Sequence, residues 1–145
     1  LIDGSKKMSK SDPNEGSRIN LLDTPEIISK KIKRAKSDSY VGLEFNNPER
    51  AESRNLLMIY SILSGKEISQ LESEFSQTGW GIFKNLITEQ LIESLKPIQA
   101  KYKLLINDPY QLNNILLEGK DKAEELANKT LKRVKSELGF FDMKN

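Results

Sequence analysis

Two lysines three residues apart carry the most specific chemistry in this sequence. Lys7 and Lys10 lie in the stretch GSKKMSKSDPN, residues 4–14, which we call the lysine loop. Glycine, serine and an Asp-Pro pair surround them, which is a composition typical of loops. Two ammonium groups on one mobile loop can close on a triphosphate or pyrophosphate, because each donates strongly to phosphate oxygens. The spacing indicates a loop that stabilises charge on a leaving pyrophosphate.

The alternative is a solvated, lysine-rich loop with no ligand, because a bare K-x-x-K pattern often occurs by chance. Neither interpretation makes the loop a nucleophile or a conventional general base. A loop that closes only on a nucleotide has to move, so we expect residues 6–14 to be mobile without one.

Composition limits the other kinds of site. The 145 residues include no cysteine and no histidine, which excludes disulfides, cysteine or histidine metal ligands and histidine-based nucleophile–base pairs. We therefore predict no metal site in the chain. No apolar stretch is long enough to cross a bilayer and no signal peptide opens the sequence, so we expect a cytoplasmic protein with no membrane partner.

Charge is unevenly distributed along the chain. Residues 1–36 contain nine lysines and arginines against five acidic residues, whereas residues 37–119 contain seven against eleven. Residues 120–145 are basic again, with seven against five. Two basic ends permit a polyanionic partner such as RNA without requiring one.

The elements that must position the loop are helices. Thr24 followed by Pro25, and Asn47 followed by Pro48, are typical helix starts, and Gly65 is a typical helix end. The apolar periodicity predicts six helices, over residues 24–36, 47–64, 67–75, 79–107, 108–119 and 120–139. The second should be central and buried nearly all round, and Pro97 should kink the fourth. The predicted fold is mainly α, a helical bundle preceded by a loop and a short extended segment.

Several other residues have two possible interpretations. Trp80, Phe83, Tyr60 and Tyr102 could stack on RNA bases, but their helical spacing favours a core. The basic run Lys30, Lys31, Lys33, Arg34 and Lys36 could contact RNA phosphates, but such runs are typical of solvated helix faces. The glutamates 72, 74, 89 and 93 could form an acid–base pair or a metal site, but without converging partners they are typical of a solvated surface. For the basic residues near the end of the last helix, Lys129, Lys132 and Arg133, an RNA contact and a solvated face are equally compatible with the pattern.

The full string Lys7-Met8-Ser9-Lys10-Ser11 matches the KMSKS signature of class I aminoacyl-tRNA synthetases. The following Asp-Pro-Asn resembles the tryptophanyl-tRNA synthetase family in particular. Further similarity to that family follows in the right order along nearly the whole chain, in the stretches NLLMIY, GWGIFK, LKPI and LLEGKDKAEELA. Tyrosyl-tRNA synthetases are the nearest relatives and remain an alternative.

The resemblance implies roles for these residues. Lys7 and Lys10 would be catalytic: they would bind the phosphates of ATP, which arrives with Mg²⁺, while tryptophan is activated to its adenylate. Met8, Ser9 and Ser11 would complete the ATP-binding loop. The helical domain would bind the anticodon region of tRNA(Trp), with Lys129, Lys132 and Arg133 as candidate contacts.

The sequence departs from the family pattern in one respect, and this limits the activity expected of the chain alone. The family's HIGH-type motif needs histidine, and none is present. We therefore expect the carboxy-terminal part of a tryptophan–tRNA ligase, inactive alone. Residues 1–23 would end a Rossmann-type catalytic domain, and residues 24–145 would form the helical domain. The family implies a homodimer for the whole enzyme, and a monomer is compatible with this piece. A stand-alone helical RNA-binding or interaction module with an incidental KMSKS string remains the other alternative.

Overall fold

The computed structural model describes residues 1–140, and within them the chain forms five α-helices and no β-strand. The helices are α1 (Pro25–Arg34), α2 (Ala51–Ser64), α3 (Ile68–Glu74), α4 (Trp80–Ile106) and α5 (Pro109–Glu137). A short 3₁₀ turn, Glu15–Ser17, precedes them. The predicted fold class, mainly α with a loop in front, is confirmed.

Helix α1 begins where its capping residues predict. The side-chain oxygen of Thr24 accepts a hydrogen bond from the amide of Ile27 at 3.4 Å, and Pro25 occupies the first turn. Proline costs nothing there, because the first amides of a helix have no intrahelical partner. Gly65 likewise ends α2 in the left-handed conformation, with φ at 70°. Both predictions are confirmed.

The predicted start of α2 at Asn47 is wrong. The Asn47 side chain accepts from the amide of Glu49 at 3.0 Å and thereby closes a turn, and the helix begins four residues later at Ala51. The residue before it, Arg50, has a non-helical backbone, and its side chain is fully buried. The turn closed by Asn47 and the non-helical backbone of Arg50 together place the helix start at Ala51.

The predicted break near Gly119 is also wrong, because α5 runs through it without interruption. A glycine in a helix interior costs only about 1 kcal/mol relative to alanine, which 29 helical residues tolerate. No residue of α5 is buried. Helix α4 continues through Pro97, as predicted, and the kink expected at that residue stays a prediction.

A single hydrophobic cluster forms the core of residues 1–100. Leu56, Leu57 and Tyr60 of α2 are buried in it. The outer face of the same helix is exposed, with Met58 at 43% and Ile62 at 75% exposure, so the prediction of all-round burial is wrong. The remaining buried apolar side chains of the cluster are Leu1, Ile28, Ile32, Ala35, Leu43, Leu71, Phe75, Phe83, Ile87, Leu91 and Leu95.

Three aromatic rings lie at the centre of this core. The centroids of Tyr60 and Phe75 are 5.6 Å apart, and those of Phe75 and Phe83 are 5.0 Å apart, both edge-on. Edge-to-face pairs contribute about 0.5–1.5 kcal/mol beyond the burial of their area. The rings come from α2, the end of α3 and α4, so they join these three helices.

The chain divides into two compact units, residues 1–100 and residues 101 onward. The lysine loop, α1, α2 and α3 belong to the first unit, and α5 belongs to the second. The boundary predicted after residue 23 is a functional one, between a catalytic and a helical domain, and it stays a prediction.

Candidate functional site

The two lysines of the loop are exposed, and the methionine between them is not. Met8 is half-buried and packs against the core, whereas Lys7, Ser9, Lys10 and Ser11 are exposed. Neither lysine pairs with a carboxylate among residues 1–140. One half-buried side chain thus holds the middle of the loop, while both charges remain available to a ligand.

Lys7 lines an open pocket with Asp3, Asp12 and Asn14, and Lys10 is not among the lining residues of that pocket. The predicted mobility of residues 6–14 stays a prediction.

The polar side chains of the loop are engaged in turns. The hydroxyl of Ser9 accepts from the amide of Ser11 at 3.3 Å, and the Ser9 carbonyl accepts from the amide of Asp12 at 3.3 Å. The Asp12 carboxylate accepts from the amide of Asn14 at 2.8 Å. These short-range bonds preshape the loop, and the Ser9 hydroxyl, which accepts one of them, keeps its own proton to donate.

The amino-terminal side of the loop is fixed against two helices. The carbonyl of Leu1 accepts from the amide of Lys36 at 3.0 Å, next to the end of α1. Gly4 lies against the start of α2, where an added Cβ would come within 2.5 Å of the Ala51 carbonyl oxygen. A glycine is needed at position 4 because the two backbones approach so closely.

The carboxyl side of the loop is fixed by Arg18, a residue that the sequence did not single out. Its Nη1 donates to the carbonyl oxygen of Asp12 at 2.8 Å, and its Nε donates to the side-chain oxygen of Asn20 at 3.0 Å. The amide of Asn20 in turn donates to the carboxylate of Asp23 at 2.9 Å. No pattern in the sequence marks these pairings.

Asp23 connects this segment to two helices. Its carboxylate forms a buried ion pair with Lys31 of α1. Burial would raise the pKa of Asp23, but the hydrogen bonds from Lys31 and Asn20 outweigh it and lower that pKa. The side-chain amide of Gln99 on α4 donates to the carbonyls of Leu21 at 2.9 Å and Asp23 at 3.1 Å. Lys31 therefore belongs to an ion pair and not to the solvated face that was predicted for its run.

A second buried polar cluster lies after α1. Arg50 donates through Nε and Nη2 to the carboxylate of Asp38, at 2.8 and 3.0 Å, and Nη2 also donates to the Gly42 carbonyl at 2.7 Å. The indole N–H of Trp80 donates to the same carboxylate at 3.1 Å. Burial would raise the pKa of Asp38, but these hydrogen bonds lower it. The cluster joins α2 and α4 to the connector that follows α1.

The remaining aromatic and acidic predictions have mixed outcomes. Tyr60 and Phe83 are core residues, as predicted, and Trp80 is half-buried. Tyr102 is 45% exposed, so the core prediction is wrong for it. Glu72 is not a purely solvated carboxylate, because it accepts from the amide of Phe45 at 2.6 Å.

The basic residues of α5 share one face. Lys132 and Arg133 follow Lys129 by three and four positions, so each is its neighbour on the helix surface, and all three are exposed. Lys129 pairs with Glu125 at 2.6 Å, whereas Lys132 and Arg133 have no carboxylate partner among residues 1–140. Whether they contact RNA stays a prediction.

The part of the chain that the structure describes offers neither a membrane span nor an acidic metal cluster. No helix there is both long and apolar enough to span a membrane. No group of three or more acidic side chains within residues 1–140 is placed to hold a metal ion. The exposed ammonium groups of Lys7 and Lys10 suit phosphate groups.

Known proteins share both the sequence and the fold. The family of tRNA synthetases class I (W and Y) matches residues 1–96. The chain is 78% identical over 143 residues to the tryptophan–tRNA ligase of Prochlorococcus marinus subsp. pastoris, covering 99% of the chain and 42% of that protein. It is 50% identical over 141 residues to the chloroplastic/mitochondrial tryptophan–tRNA ligase of Arabidopsis thaliana, covering 97% and 35%.

A solved structure agrees with the sequence matches. The crystal structure of tryptophanyl-tRNA synthetase from Mycoplasma pneumoniae superposes with a TM-score of 0.85 at 31% identity, covering 98% of this chain and 45% of that one. The chain thus spans about two fifths of the length of the curated bacterial relatives, at their carboxy-terminal end. The chain belongs to the class I tRNA synthetases of the tryptophan and tyrosine family.

Proposed function

We propose that this chain is the carboxy-terminal part of a tryptophan–tRNA ligase. The observation that carries the proposal is the 78% identity to such a ligase over 99% of the chain. The whole enzyme would activate tryptophan with ATP, release pyrophosphate and transfer the amino acid from its adenylate to tRNA(Trp). It would work in the cytoplasm as a homodimer.

The lysine loop would act on the phosphates. Lys7 and Lys10 would hold the β- and γ-phosphates of ATP and stabilise the charge that accumulates on pyrophosphate as it leaves. Their exposure and their lack of carboxylate partners among the described residues support this role. Mg²⁺ would arrive with ATP and neutralise part of the same charge. Met8, packed on the core, would hold the loop, and Ser9 and Ser11 would shape its turn.

Other parts of the reaction need residues that these 145 do not supply. A HIGH-type motif requires histidine, which the chain lacks. The chain alone should therefore not activate tryptophan. Its helical region, from residue 24 onward, would contact the anticodon region of tRNA, with Lys129, Lys132 and Arg133 as candidate phosphate contacts.

The test is tryptophan-dependent exchange of pyrophosphate into ATP by the full-length protein. We expect Lys10→Ala and Lys7→Ala each to lower the exchange rate about 100-fold or more, because charge stabilisation in the transition state is removed. Lys96→Ala is the matched control, since it removes an exposed lysine that pairs with Glu93 on α4. Unchanged exchange in Lys10→Ala would remove the proposed role of this residue.

The same assay separates the alternatives. Exchange that depends on tyrosine in place of tryptophan would identify a tyrosine enzyme, which the matched family also includes. Exchange with neither amino acid would favour a stand-alone RNA-binding module. In that case binding of tRNA by the chain alone would be its measurable activity.

A further inference from the structure

The carbonyl of Asp12 follows the second lysine of the loop by two residues, and a side chain from outside the loop holds it. Arg18 reaches back six residues to donate to this oxygen at 2.8 Å. The extended backbone at Arg18, with φ at −141° and ψ at 159°, places it beyond the 3₁₀ turn that separates it from the loop. The contact therefore ties residue 18 to the carboxyl end of the loop. We call this hydrogen bond from Arg18 to the Asp12 carbonyl the clasp.

The groups that hold the Arg18 guanidinium are themselves hydrogen-bonded. The Nε of Arg18 is held by the side chain of Asn20 at 3.0 Å, and this orients the planar guanidinium. Asn20 is held by two hydrogen bonds to the carboxylate of Asp23, at 2.9 and 3.3 Å. Arg18 itself is half-buried, so neighbouring residues cover part of its side chain.

The clasp extends into two helices. Asp23 is 7% exposed and forms an ion pair with Lys31 of α1, whose residue exposure is 9%. Gln99 of α4 binds the Asp23 carbonyl from the other side at 3.1 Å. A continuous path of hydrogen bonds thus runs from the base of the lysine loop to α1 and α4.

We propose that Arg18 is a positioning residue for the lysine loop: by holding the Asp12 carbonyl it fixes the point about which Lys10 moves when the loop closes on ATP. The inference rests on the proposed function, since it assigns Arg18 to the same site. Arg18 acts on the loop backbone through two of its five N–H donors: Nη1 holds the Asp12 carbonyl, and Nε is held by Asn20. Without the clasp, closure has to order a longer, freer segment, which weakens the lysine contacts to phosphate.

The experiment compares Arg18→Met, Arg18→Lys and wild type in the full-length protein. We expect Arg18→Met to lower kcat/KM for ATP about 10-fold, roughly the effect of one charge-assisted hydrogen bond, while KM for tryptophan stays unchanged. Arg18→Lys should recover part of the loss, because an ammonium can still donate to the Asp12 carbonyl. Arg54→Met is the matched control, because Arg54 is exposed on α2 and lies against the Phe45 ring.

A second readout does not need activity. Hydrogen exchange at the amides of Asp12 and Asn14, both bonded within the loop, should become faster in Arg18→Met than in wild type and Arg54→Met. Equal ATP parameters in Arg18→Met and wild type would overturn the proposal. So would a parallel loss in the ATP and tryptophan parameters together with lower stability, which indicates a merely structural role.

The two proposals can fail separately. A wild-type protein with no amino-acid-dependent exchange would remove the proposed function. Hydrogen exchange at the amides of Asp12 and Asn14 would then test the role of Arg18 by itself. Faster hydrogen exchange in Arg18→Met supports the role, and unchanged exchange overturns it.

Discussion

Arg50 and Asp38 form a bidentate ion pair in which the arginine side chain is 2% exposed and the aspartate side chain 13%. The pair joins the residue before α2 to the connector after α1. Because Trp80 donates to the same carboxylate, the pair also reaches α4. A buried pair of this kind makes the three segments depend on one another.

Loss of one partner should therefore cost much more than loss of a surface charge. We expect Arg50→Met to lower the free energy of unfolding of this chain by about 3–5 kcal/mol, because the largely buried Asp38 carboxylate loses its cation and keeps only the hydrogen bonds from Trp80 and the Tyr40 amide. Arg54→Met, which removes an exposed arginine from the same region, should cost less than about 1 kcal/mol. Urea denaturation measures both, and equal losses would contradict a special role for the buried pair.

The loss of folding stability at acidic pH should depend on Asp23 and Asp38. The pKa of each is lower in the folded chain than its ordinary value of 3.8, because hydrogen bonds to cations outweigh burial. Their contribution is complete above that value and is lost as the pH falls through the lowered folded pKa. Urea midpoints measured from pH 7 down to about pH 2.5 should therefore fall below about pH 4.

The pH dependence has its own control. Asp38→Asn should be less stable at pH 7 but should lose less further stability on acidification than wild type. Glu49→Gln, which changes an exposed carboxylate in the same compact unit, should follow the wild-type curve. A wild-type curve that stays flat between pH 5 and 2.5 would disprove the assignment.

Two glycines with the same backbone conformation should respond differently to alanine. Gly42 has φ at 75°, and an added Cβ would lie 2.1 Å from the Ser76 carbonyl oxygen. Gly65 has φ at 70° and nothing within 4 Å. We expect Gly65→Ala to cost about 1 kcal/mol from the backbone alone and Gly42→Ala at least about 3 kcal/mol. Thermal unfolding of the two variants measures the difference, and equal shifts would show that the close approach relaxes without cost.

The basic face of α5 should contribute to RNA affinity through phosphate contacts. Replacing Lys129, Lys132 and Arg133 by glutamine should weaken tRNA(Trp) binding by the full-length protein. The slope of log K against log salt should become shallower by about 1 for each phosphate that the variant no longer neutralises. Lys120→Gln together with Lys122→Gln is the control on the same helix. Tryptophan-dependent exchange without tRNA should not change, and an unaltered salt slope would place the RNA-binding surface elsewhere.

Local sequence was sufficient for much of the fold. The start of α1 at Thr24 and the end of α2 at Gly65 follow from capping chemistry that acts within one turn. Two helix boundaries were predicted wrongly, for different reasons. Before α2 the Asn47 side chain closes a turn and the Arg50 guanidinium is buried against Asp38, 12 residues away, so the helix begins at Ala51. In α5, Gly119 does not end the helix, because one glycine costs too little to stop 29 residues.

For the candidate site, the sequence alone determined the lysine loop, its exposed charges and the family it resembles, because residue types at short spacing carry that information. Only the tertiary structure decided how the loop is held. Met8 packs on the core, and Gln99 reaches the Asp23 carbonyl across 76 positions of sequence. Such pairings depend on how helices pack, and no local pattern encodes which distant donor will meet a given carbonyl.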